Sequence, residues 1–157
     1  MLGAVTAYDF SIFLHVTAVV VGLGATFAEA ITFPVAMKLD QRYLPYVHRL
    51  GIAINRYLAS PALLVILITG FYQVSKGNWD FGSFWISATF AIVIVLGGLN
   101  GAYFIPTDRR LAEMAERDLA AGALSEDYQR RARTEGIIGA VAGLLVVLAV
   151  FLMVTKP

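Results

Sequence analysis

The chain has 157 residues, room for one domain. Hydrophobic residues make up 59% and charged residues 15%, where a soluble domain carries about 25% charged, so most of this surface is not built to face water. The net charge of +1 gives no footing for nucleic acid, and the absence of cysteine excludes disulfides, thiolate metal centres, iron–sulfur clusters and cysteine nucleophiles.

In chain order, residues 1–8 carry no Lys or Arg, so the basic leader of a cleaved signal peptide is missing and the first apolar run reads as a retained helix. Crossing a bilayer takes about 20 mostly apolar residues, and four stretches satisfy this, at about 9–36, 52–75, 82–106 and 134–155. The fourth is the most purely aliphatic. The expected fold is all-α, a single integral membrane four-helix bundle occupying 1–157.

Basic residues in short connections set orientation. Lys38, Arg42, Arg49 and Arg56 flank the first connection, and Arg109, Arg110, Arg117, Arg130, Arg131 and Arg133 lie in the third. Ten of the twelve basic residues thus share one side, with Lys76 and Lys156 opposite. That side is expected to be cytoplasmic and both termini outside, in a multi-pass protein of the inner (plasma) membrane. Amphipathic rings prefer the interfaces, which places Tyr8, Tyr72, Trp79, Phe81, Phe84 and Trp85 in an outer belt and Tyr43, Tyr46, Tyr57, Tyr103 and Phe104 in an inner one.

The third connection reads as a cytoplasmic helical hairpin. Residues 107–119 are strong helix formers with Leu111, Met114 and Ala115 on one stripe. Gly122 breaks them, and Ser125 followed by Glu126 and Asp127 has the pattern of a helix N-cap. Pro61 is expected to kink span 2, and Pro34 and Pro106 to end or bend spans 1 and 3.

Ionisable groups at bilayer depth face the bundle interior and mark function. Span 1 holds His15 and Glu29, joined by Ala18, Gly22, Ala25 and Thr26 into one stripe of small and polar residues that lets another helix approach. Glu29 shares its depth with Arg56 and Asn100, so geometry allows a Glu29–Arg56 pair supported by Asn100, as a proton relay, an anchor for an anionic group or a structural ion pair; the alternative is an Arg56 that merely snorkels to the interface. His15 is a candidate haem-iron ligand. His48 belongs near the opposite surface, so a second ligand would be a methionine such as Met153 or come from a dimer. Gly97/Gly101 and Gly139/Gly143 have the small-xxx-small spacing of packing faces, inside the bundle or between protomers. The four methionines form no soft-metal cluster, and no phosphate loop or nucleophile elbow is present.

The segment FLHVTAVVVGLGATF resembles the histidine–small-residue–glycine first helix of a circle of bacterial membrane proteins. That circle includes copper-resistance protein D-like proteins and the haem-containing protoporphyrinogen oxidases of the HemJ type. The closing FLMVTKP is similar to the end of an uncharacterised family of predicted integral membrane proteins within it. The resemblance implies a four-helix bundle binding haem b or another porphyrin, with His15 at the family histidine. The glycines are Gly22 and Gly24 rather than adjacent, and the basic residue accompanying the oxidase histidine has no clear counterpart. A non-enzymatic role is therefore expected. The functional expectations are a porphyrin-binding membrane protein with His15, Glu29, Arg56 and Asn100 at the site, a structural or assembly subunit, or a small proton-coupled transporter using Glu29. The expected partners are the lipid bilayer and a second copy or another membrane protein.

Overall fold

A computed structural model describes residues 4–157; the first three residues of the amino-terminal stretch lie outside the described residues. The described residues form six α-helices: α1 (Ala7–Leu39), α2 (Leu44–Ile54), α3 (Ser60–Lys76), α4 (Phe84–Leu99), α5 (Ile105–Ala120) and α6 (Glu126–Thr155). Short π-helical segments, Asn55–Ala59 and Asn100–Phe104, join α2 to α3 and α4 to α5 without breaking the rod. The result is four continuous rods of 33, 36, 37 and 30 residues, each long and apolar enough to cross a membrane.

Composition explains why these rods stay apart from water. Phe84, Leu144 and Val154 are at least 70% exposed, an arrangement that only a hydrocarbon solvent rewards. Tyr43, Tyr46 and Tyr57 stand exposed at one end and Trp79 and Phe81 at the other. We refer to the end with Tyr43 and the two basic connections as the basic end and to the other as the terminal end. At the terminal end the Lys156 ammonium sits 4.6 Å above the Trp79 ring and 5.7 Å from that of Trp85, so the carboxyl-terminal residues and the connection between α3 and α4 meet there.

The principal packing pairs are α1 on α3, α2 on α5 and α4 on α6. Polar contacts tie the first pair in one antiparallel register. Gln73 Nε2 donates to the Ser11 carbonyl at 3.1 Å, His15 Nδ1 lies 2.8 Å from Thr69 Oγ1, and Asn55 Nδ2 donates to Glu29 Oε1 at 2.7 Å. A Cβ on Gly22 would lie 3.5 Å from that of Ala62, between these polar rungs. Each step along α1 is matched by an equal step back along the second rod, and the positions Ser11, His15, Gly22 and Glu29 recur at the four- and seven-residue spacing of one helix face. The stripe of small and polar residues read from the sequence is this seam.

Rods of 30 residues or more reach about 45–55 Å, well beyond a hydrocarbon core of about 30 Å. The surplus at the basic end folds into its own apolar core of Ala36, Leu44, Leu111, Ala115, Tyr128 and Ala132. The hairpin turns at Gly122, whose φ of +109° favours glycine, and Ser125 caps α6 by accepting from the Tyr128 amide at 3.2 Å. Asp118 ties the turn: it accepts from the Ser125 hydroxyl and amide and from the Arg117 guanidinium. These hydrogen bonds, led by that of the Ser125 hydroxyl, hold its carboxyl down at about 2. Because the folded value is depressed, this contribution is present at neutral pH and lost as the pH falls from the ordinary aspartate range toward 2.

None of the three prolines ends its rod. Pro34 lies inside α1, which runs on to Leu39. Pro106 does not end its rod either. Pro61 and Pro106 each occupy the first turn of the α-segment that follows a π-segment, where a missing N–H costs little and the wider turn absorbs the ring. Of the two placements open to the Gly97/Gly101 and Gly139/Gly143 faces, packing inside the bundle is not found: an added Cβ at Gly97, Gly98, Gly101, Gly136, Gly139 or Gly143 would meet open space.

Leu111 is fully buried in the basic-end core. Leu111→Ala should cost about 2–5 kcal/mol, read as a lowered unfolding temperature of the detergent-solubilised protein.

Candidate functional site

A cavity of about 870 Å³ runs between the rods from His15 to the basic end, within the range of about 300–1,000 Å³ of ligand-binding clefts. Its walls are mainly aliphatic, and its polar lining gathers at the basic end: Glu29, His48, Asn55, Asn100, Asp108 and Glu135. A second cavity of about 280 Å³ continues toward Trp79 and Lys156 and shares His15 and Met153 with the first. Gly136, Gly139 and Gly143 border the larger cavity, where their missing side chains keep its α6 wall open.

His15 is buried and set by its partner. The Thr69 hydroxyl donates to the Val65 carbonyl, one turn back, so its single proton is engaged and it accepts from His15 Nδ1–H at 2.8 Å. In the neutral imidazole, Nε2 is then the nitrogen that keeps its lone pair. The ring lies on the wall common to both cavities.

At the basic end the two π-segments place matching asparagines. Each begins with a buried asparagine, Asn55 and Asn100, and each is followed by a proline six positions on. Asn55 reaches Glu29 on α1. Asn100 Nδ2 reaches the Asn55 carbonyl at 3.3 Å and the Ser60 hydroxyl at 3.1 Å, while its Oδ1 is buried without a partner. One additional residue per turn re-aims side chains, which is why π-segments recur at functional sites.

Beside them lies a buried chain. His48 Nδ1 is 2.7 Å from Asp108 Oδ1, and His48 Nε2 is 2.9 Å from the Tyr128 hydroxyl. With Asp108 ionised, Nδ1–H donates to the carboxylate and Nε2 accepts from the phenol. Close approach of α2 permits this, since a Cβ on Gly51 would come within 2.9 Å of Asp108 Oδ2. Glu135 of α6 completes the group, with Oε1 fully buried and unpaired.

Of the residues read from the sequence, Glu29 and Asn100 come together in this chamber with Asn55 between them. Arg56 does not join them: it is exposed, and its guanidinium carbon lies 6.0 Å from the centroid of the neighbouring Tyr57 ring. Glu29 is therefore held by Asn55 in place of Arg56, because the residue next to the buried Asn55 is rotated about 100° around the helix, which carries Arg56 out of the bundle interior. His15 lies further along the cavity, about 21 Å from Glu29 along the axis of α1. His48, Asp108, Tyr128 and Glu135 were not singled out as site residues. Periodicity carried part of the signal, since Asp108 shares the buried stripe of Leu111, Ala112 and Ala115, and Glu135 lies one heptad past Tyr128.

Gly51→Ala should push the Asp108 carboxyl off His48 and cost about 1–3 kcal/mol, read by thermal unfolding in detergent and by a displaced His48 imidazole resonance in nitrogen NMR.

Comparison with known proteins agrees with this architecture. The sequence pattern of a family described as predicted integral membrane proteins (DUF2269) matches residues 11–157, so the chain belongs to that family. No curated protein and no solved structure matches it.

Proposed function

For a member of this family of integral membrane proteins, we propose a small proton-coupled transporter of the plasma membrane, with its basic end in the cytoplasm and Glu29 as the group that takes up and releases the proton. One observation carries the reading. Glu29, Asp108 and Glu135 line the basic end of the same cavity together with His48, and among the described residues no arginine or lysine pairs with any of them. Three carboxyl groups in one low-dielectric chamber would repel one another and forgo solvation if all were ionised, so the cluster favours taking up a proton or another cation from outside. Asn55 holds the Glu29 carboxyl through one hydrogen bond, which leaves its other oxygen for proton exchange. The buried Asp108–His48–Tyr128 chain at the basic end of the cavity would accept the proton from Glu29 once a water bridges the two. In proteoliposomes carrying an internal pH dye, an external acid step should drive proton entry, and Glu29→Gln should slow it about 100-fold; an unchanged rate in the variant would rule the reading out.

A second reading rests on His15. An imidazole locked by Thr69 with its Nε2 lone pair free, on the wall of an apolar cavity that Met153 also lines, suits an axial ligand of haem b or another porphyrin. Protein from haem-replete cells should show a Soret band that His15→Ala abolishes; colourless wild-type protein would exclude it.

A further inference from the structure

His48, Asp108 and Glu135 come from three different helices, α2, α5 and α6, at the level where the rods leave the apolar region. One ligand-type atom from each lies within 4.8 Å of the other two. Around a first-row divalent ion with bonds of about 2.0–2.2 Å, ligand atoms sit about 3–4 Å apart, so shifts of about 1 Å suffice: the widest separation draws in, and His48 Nδ1 and Asp108 Oδ1, 2.7 Å apart, move apart to admit the ion.

Two further observations point to a ligand. Glu135 Oε1 is fully buried and accepts no hydrogen bond, and a buried acceptor without a partner is destabilising unless something outside the chain satisfies it. Asn100 is only 4% exposed and lines the same cavity, and its Oδ1 is likewise unpaired. Both are acceptors, which a cation satisfies and an anion does not.

We propose that His48, Asp108 and Glu135 form a binding site for a divalent first-row transition metal of the Mn²⁺, Fe²⁺ or Zn²⁺ class at the basic end of the cavity. This rests on the proton-coupled reading and deepens it, since the metal is the cargo that moves together with the proton on Glu29. One imidazole nitrogen with two carboxylates suits these ions, whereas an all-oxygen cage would suit Mg²⁺ or Ca²⁺ and a thiolate set would suit Cu(I). The ion takes the place of the proton between His48 Nδ1 and Asp108 Oδ1, now 2.7 Å apart. That proton moves to Nε2, which then donates to the Tyr128 oxygen, so Tyr128 orients the ring in both states. Two carboxylates balance the two charges of the ion, leaving Glu29 to carry the proton.

The full-length protein, stripped of metal in detergent, is titrated with MnCl₂ while free Mn²⁺ is followed by its six-line EPR signal. Wild type should bind one Mn²⁺ per chain, displaced by Zn²⁺ but not by equal Mg²⁺. Glu135→Gln, which keeps the shape of the side chain, should weaken binding about 100-fold, Tyr128→Phe should weaken it about tenfold, and Glu29→Gln should retain it. Absence of saturable binding, or an unchanged Kd in a Glu135→Gln protein with wild-type unfolding temperature, would overturn the metal site. If Mn²⁺ fails to bind while Glu29→Gln still stops proton entry, the metal site falls and the proton reading stands. If Mn²⁺ binds while proton entry ignores Glu29, the reverse holds.

Discussion

A polar side chain in lipid has no water to fall back on, so each one along α1 must be answered by a group on a neighbouring helix. Ser11, His15 and Glu29 are answered by Gln73, Thr69 and Asn55 in a single antiparallel register. Slipping that register by one residue would rotate every one of these groups away from its partner at once. The seam therefore fixes how the first two rods lie against each other, with Gly22 and Ala62 between the rungs providing room for close contact. It also fixes what is left over: the cavity lies beside the seam, with His15 and Glu29 on its wall.

The interruptions in the second and third rods are the other determinant. A helix interior does not accept proline, since the ring strikes the carbonyl a turn earlier. Here each of Pro61 and Pro106 follows a π-segment opened by an asparagine, and the Ser60 and Ile105 amides bond five residues back instead of four. The wider turn absorbs the ring without ending the rod, and it leaves Asn55 and Asn100 buried toward each other. The polar chamber forms where these two turns meet Glu29. Beneath it, the extramembrane core around Leu44, Leu111 and Tyr128 holds His48 and Asp108 in place. The membrane bundle and its extension are thus joined through the candidate site, so a change of charge there bears directly on how the two layers pack.

Chemically, the two ends of the cavity differ. Toward the terminal end the lining is mainly apolar around one oriented imidazole, with the Lys156 ammonium at the far end of the second cavity. Toward the basic end it is carboxylate-rich, and no lysine or arginine reaches those carboxylates among the described residues. An anionic ligand is repelled from the second region and a cation or proton is drawn to it. The exposed arginines around it, such as Arg49 on Glu116 and Arg130 on Asp127, pair with carboxylates on the surface instead, where solvent screens them.

Much of this was legible in one dimension. Four spans, the shared side of both basic connections, the buried stripe of α1, the Gly122 turn and the Ser125 cap all follow from runs, spacings and local hydrogen-bonding chemistry. Such features depend on residues within about a turn of one another or on the length of an apolar run. The partners of the ionisable groups do not. Whether Glu29 meets Asn55 or Arg56 turns on the rotation of the second rod, about 100° between those neighbours. His48 meets Asp108 sixty residues away and Tyr128 eighty residues away only because α2 packs on α5 beside the start of α6. Local sequence determined that these helices exist, where they run and which faces are polar. The tertiary packing alone decided which polar faces meet, because that depends on helix rotation and on the π-turns that reset it.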